Sequence, residues 1–192
     1  MNDQLKRYIG EYESARREAR ALVDGLNEKS FNLRPDPESW SVAECIDHLC
    51  VLGNLLLPRL DAGVQQARAK GWRSDGPFRY GLFSNMFIRM VSPLRITGSR
   101  RGKAAAPLIY LPSSATHDVN ALVTKFETLQ NELIERAKAA DGLDIARVQI
   151  VSPVSVLIRI RLGAWFEAIA AHQFRHIEQA KRTKEVVAGG AL

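Results

Sequence analysis

Cysteine is nearly missing from this chain: Cys45 and Cys50 are the two that its 192 residues contain. Positions five apart on one helix point about 140° away from each other, so no disulfide is expected. Long apolar runs are missing too. No uncharged stretch reaches the roughly 18 residues that a bilayer span requires, and the opening Met1-Asn2-Asp3-Gln4-Leu5-Lys6-Arg7 has no apolar centre of the kind a signal peptide needs. Internal repeats and low-complexity tracts are also absent. These absences exclude a disulfide-stapled secreted scaffold and a membrane-spanning protein. They predict a cytoplasmic protein without a membrane partner.

Acidic residues are missing from one whole stretch. Between Gly76 and His117 stand Arg79, Arg89, Arg95, Arg100, Arg101 and Lys103 and not one Asp or Glu, so the net charge of +6 belongs to this segment; the other 21 basic side chains are matched by 21 acidic ones. A charge run is commonly a solvated loop, but unpaired guanidiniums beside a cleft also attract carboxylates or phosphates. Arg95, Arg100 and Arg101 are therefore candidate anion-binding residues, and they imply an anionic small-molecule substrate. No aromatic residue lies between Arg89 and Lys103, which leaves nucleic-acid bases nothing to stack on. A nucleic-acid partner is not expected.

What is present is helical periodicity. Leu5, Tyr8, Ile9, Tyr12, Ala15, Ala19, Leu22 and Leu26 recur at threes and fours, the pattern of an amphipathic helix that stops near residues 25–27. A proline-rich loop follows, and Ser41 with Glu44 forms the capping box of a second helix. Its apolar stripe runs through Cys45, Leu49, Leu52 and Leu56 and, past an expected kink at Pro58, on to Gly71. A third helix is expected over 118–140 and a last one from about residue 162. The stretch 148–160 contains Pro153 and reads as an extended connection rather than a central strand. A length of 192 residues suits one domain spanning 1–192. The expected fold is all-α, a four-helix bundle with a long insertion, about 72–117, between its second and third helices.

Three histidines organise the chemistry. His48 falls within the buried stripe of the second helix, while His172 and His176 are four apart on the last. A four-residue spacing stacks two imidazoles on one face, about 6 Å apart along the axis, and Trp165 and Ile169 continue that face inward. Burying two imidazoles costs desolvation at both unless each finds a partner, and one cation satisfies both. A third imidazole from another helix completes a His₃ set with open positions, the arrangement of a working metal rather than a structural one. His48, His172 and His176 are the expected ligands of a divalent ion, and because imidazole suits zinc, nickel and iron, as well as copper, the residues do not name the metal. Cys45 shares the face of His48 but reads as a small apolar filler. Trp40 reads as a plug at the helix entrance, His117 as exposed, and Arg175 as the partner of a carboxylate such as Asp47 or Glu178.

Arg34-Pro35, Trp40-Ser41 with Glu44, His48-Leu49 and finally His172-x-x-Arg175-His176-x-x-Gln179 occur in one order over nearly the whole chain. In these words the chain resembles the DinB-like (DinB/YfiT) superfamily of bacterial four-helix bundles. The resemblance implies an up-down-down-up order of helices, a divalent metal on the three histidines, and frequent homodimers. It also implies one of two reactions, since characterised relatives include transferases that use bacillithiol or mycothiol, and many members are labelled as hydrolases.

Three neutral imidazoles cancel none of a divalent ion's charge, so a thiol or water in an open position is strongly acidified. A hydrolase wants a carboxylate base of the kind that His-Glu-x-x-His supplies, and here Gln173 occupies that place. The expected activity is therefore that of a metal-dependent transferase, in which a low-molecular-weight thiol attacks an electrophile. The alternatives are a metal-dependent hydrolase of a small amide or ester, and a non-enzymatic interaction module.

Overall fold

The computed structural model describes residues 1–92 and 107–189. Six helices, α1 (Asp3–Val23), α2 (Glu28–Asn32), α3 (Val42–Ala69), α4 (Gly81–Val91), α5 (Val119–Ala139) and α6 (Leu162–Gly189), are joined by one hairpin of β1 (Gln149–Ser152) and β2 (Ser155–Arg161). The all-α expectation holds with this small addition. Pro153 does not prevent the hairpin because it sits in the two-residue turn, where no ladder bond is needed from its nitrogen. Residues 108–110 form a turn of 3₁₀ helix.

Local chemistry sets the helix ends. Asn2, Ser41 and Asp118 cap the starts of α1, α3 and α5 with their side chains, and the capping box between Ser41 and Glu44 is complete. Gly25, in the left-handed region at φ 74°, turns the chain after α1. The short α2, capped by Asn27, lies in what reads as plain loop. α3 is continuous across Pro58.

α1, α3, α5 and α6 make the bundle, with α1 and α3 each packed against both α5 and α6. Cross-helix bonds give the directions. Tyr12 reaches the Phe166 carbonyl and Lys181 reaches Glu18, so α1 and α6 run parallel. Arg16 to Asn131 and Arg20 to Glu127 set α5 antiparallel to α1. Lys125 to Asp47 and Arg136 to Asp61 set α5 parallel to α3. The order is up-down-down-up. Tyr8, Tyr12, Phe31, Phe126 and Phe166 are the bulkiest of the fully buried side chains in the core, and α4 lies outside the bundle against α6.

Tyr80, just before α4, closes tightly on Gly163 at the start of α6: a Cβ there would meet its ring and hydroxyl at 2.5 Å. The same hydroxyl is 2.9 Å from that of Tyr8, so the ring cannot simply swing away. Gly163→Ala is expected to destabilise the protein by about 1–3 kcal/mol, since overpacking outweighs the helical preference of alanine. Chemical denaturation measures this. An unchanged midpoint would show that the Tyr80 contact is not held in solution.

Candidate metal centre

α3 and α6 are antiparallel neighbours, which brings residue 48 level with residues 172 and 176. One ligand nitrogen from each of His48, His172 and His176 lies within 4.8 Å of the others, so the three could hold a metal ion. Ring centroids are separated by 4.5 Å between His48 and His176, 4.4 Å between His172 and His176, and 5.2 Å between His48 and His172. Trp40 covers the cluster from the α3 entrance, its ring centroid 4.9 Å from His48 and 5.7 Å from His176. It therefore walls the site as well as plugging the helix end.

The tautomer of His48 follows from its partner. Nδ1 lies 2.5 Å from the Tyr110 carbonyl oxygen. A carbonyl only accepts, so Nδ1 carries the proton and Nε2 presents a lone pair. That lone pair faces Nε2 of His172 at 3.0 Å, about the separation of two nitrogens sharing one ion at roughly 2 Å. The other two rings have neighbours of their own, the Val91 backbone beside His172 and the Gln179 side chain beside His176. A cation that takes one lone pair from each ring suits the whole set.

Burial holds the His172 imidazole down at about 3, with the neighbouring His48 adding to it. His176 and His48 are lowered for the same first reason; the other two rings depress His176 further, while the Tyr110 carbonyl partly restores His48. His172 and His176 stay neutral well below pH 6, the form that ligates, and burial tilts His48 the same way.

The loop holding Tyr110 is itself gripped by the residue before His48. Asp47, fully buried, accepts from the Ser113 backbone at 2.5 Å, the Ser113 hydroxyl at 2.7 Å and Lys125 at 3.2 Å. Burial pushes its carboxyl up, and the Ser113 and Lys125 bonds outweigh this, leaving it below the ordinary carboxylate value. Adjacent residues of α3 thus bind the same short loop, one through its carbonyl and the other through its serine. Glu44 is similarly committed. It accepts from Arg34 Nε at 2.8 Å and the Ser41 backbone at 2.9 Å, and Arg34 Nη2 bonds its second oxygen. These bonds outweigh burial and hold its carboxyl down.

Other expectations are corrected. Arg175 donates to the Met90 carbonyl at 3.3 Å, not to Asp47 or Glu178. His117 is largely buried, 3.6 Å from Asp47. The reading of Cys45 as a small apolar filler holds, since it lies outside the cluster as a buried free thiol that burial pushes upward. Arg95, Arg100 and Arg101, the expected anion-binding residues, lie outside the described residues. Tyr110, Ser113 and Lys125 went unread in the sequence: a backbone carbonyl leaves no residue signature, and nothing in the spacing ties residue 113 to residue 47.

With this geometry in place, comparison with known proteins adds a family. The model for the DinB superfamily matches residues 11–180. The chain is also similar to an uncharacterized protein, YuaE, of Bacillus subtilis (strain 168), with 23% identity over 176 residues that cover 92% of this chain and 96% of that protein. No solved structure matches.

The depressed histidines carry a pH signature. Each regains a pKa near 6.5 on unfolding, so below that pH the unfolded chain binds more protons and stability must fall with pH. Metal-stripped protein is expected to lose up to about 1.4 kcal/mol per pH unit for each of His172 and His176 between about pH 6.5 and 5, with His48 acting in the same direction, above the range of Glu44 and Asp47. Urea titrations across this window measure the slope. A triple His48→Ala, His172→Ala, His176→Ala variant should flatten it, and an equal slope in that variant would place the effect elsewhere.

Proposed function

Since the chain belongs to the DinB superfamily and gathers three histidines that could hold a metal ion, we propose that it is a metal-dependent transferase acting with a low-molecular-weight thiol. The observation that supports thiol transfer over hydrolysis is the state of the carboxylates. Among the described residues, no Asp or Glu joins the histidine cluster. Glu44 is taken by Arg34 and Ser41, and Asp47 by Ser113 and Lys125. Gln173, in the place of a metalloprotease glutamate, is buried and cannot take a proton from water at neutral pH.

A divalent ion bound there would supply Lewis acidity, lowering the pKa of a thiol in its open position. The protein's own groups do the rest. The Tyr110 carbonyl keeps the His48 proton on Nδ1, and Trp40 shields the rings from bulk water. In the reaction, the thiol sulfur forms a bond to an electrophilic carbon as the carbon–leaving-group bond breaks. The leaving group departs with the electron pair, and the thiol proton passes to solvent. A soft sulfur ligand gains most at such a partly desolvated site of neutral nitrogen donors.

Cobalt-substituted protein tests this reading. Bacillithiol or mycothiol is expected to produce a thiolate-to-cobalt charge-transfer band, and an added haloarene or epoxide to be consumed. If no thiol perturbs the spectrum while simple esters or amides are hydrolysed in a His48-dependent way, the hydrolase reading replaces this one. If neither occurs, the fold serves as an interaction module.

A further inference from the structure

Thirteen large apolar side chains are exposed among the described residues, and ten of them fall in three short places: α4, the turn at 108–111 and the tip of the hairpin. Leu82, Phe83, Met86 and Met90 form an outward stripe on α4, opposite the buried Ser84 and Ile88. Leu108 is 87% exposed and Leu157 at the hairpin 88%, with Leu82 at 92%. The hairpin touches both of the other places. The Arg161 backbone donates to Ser84 of α4 at 3.4 Å, tying the hairpin to that helix, and the Tyr110 hydroxyl meets Ser152 at the other side of the hairpin.

Charge follows the same division. Residues 76–92, 107–117 and 145–166 contain five arginines and neither Asp nor Glu, although acidic residues are spread through the rest of the chain. Arg79, Arg89 and Arg159 are exposed among the apolar side chains. A monomer seldom leaves so much apolar surface in water without a use for it.

We propose that this face docks on an anionic lipid surface, inserting its protruding leucines, methionines and Phe83 at the headgroup boundary while the arginines meet lipid phosphates. Two observations select this occupant. Leucines nine-tenths exposed stand clear of their neighbours, as side chains that enter a fluid interface do, whereas a peptide groove would half-bury them. A symmetric pair of copies would set these arginines against one another, and residues 76–92, 107–117 and 145–166 hold no carboxylate to answer them. No helix among the described residues is long and apolar enough to cross a membrane, so the association is with the surface. The expectation of no membrane partner rested on the lack of a spanning run, which is silent about a peripheral face. The proposal is independent of the metal.

Co-sedimentation of the full chain with extruded vesicles tests it. Vesicles of equal parts phosphatidylglycerol and phosphatidylcholine should bind the protein, phosphatidylcholine alone should bind it at least about tenfold less, and raised salt should weaken the binding. The exposed changes Leu82→Glu, Met86→Glu and Leu157→Glu, in protein shown to be folded by circular dichroism, should lower partitioning by about tenfold or more. Arg89→Gln with Arg159→Gln should reduce the preference for phosphatidylglycerol. Failure to bind these vesicles at low salt overturns the proposal, as does binding indifferent to the glutamate variants. Self-association in solution that the same variants abolish would assign the face to a second copy instead.

Discussion

The bond from His48 Nδ1 to the Tyr110 carbonyl is the interaction on which the centre of this protein depends. It decides where one proton sits, and through that proton it decides which nitrogen of His48 can donate a lone pair. Turned to the other tautomer, the ring would aim an N–H at His172 and the cluster would lose its first donor. The bond depends in turn on a loop that has little regular structure of its own. Asp47 secures that loop at Ser113, one step along α3 from the ring it serves. A buried carboxylate is costly unless it is well bonded, and the three donors on Asp47 meet that cost while locating the loop.

The helix order makes this possible. Because the bundle runs up-down-down-up, α3 lies antiparallel to α6 and parallel to α5. The first relation sets His48 opposite His172 and His176, and the second brings Lys125 to Asp47. The same few turns of α3 therefore hold a capping carboxylate, a loop anchor and a candidate ligand, each with a different neighbour. Carboxylates this fully engaged leave the histidines as a set of neutral nitrogen donors.

Much of this was legible in the sequence. The periodic stripes of α1, α3 and α5 were clear because each buries one face, and Ser41 with Glu44 marked a helix start through reciprocal bonds that depend only on a three-residue spacing. His172 and His176 were legible for the same reason, since helix geometry fixes their relation. The pairing of His48 with them needed a tertiary fold, and periodicity supplied only the inward direction of each. The hairpin was hidden by Pro153, a residue that excludes a central strand but not a turn. Arg175 was assigned to a carboxylate on charge alone, although a carbonyl at the end of α4 lay nearer. The outward stripe of α4 could not be told from a core stripe, since a helix apolar on both sides gives no sign of which side is covered.

The chemistry of this centre turns on whether the three inward imidazoles form one metal site. Elemental analysis of the purified protein, set beside folded His48→Ala and His176→Ala variants, tests it most directly. The account predicts about one divalent ion per chain in the unaltered protein and loss of most of it in either variant. Metal content unchanged by these substitutions, or no measurable affinity for zinc, nickel or iron at neutral pH, would contradict it.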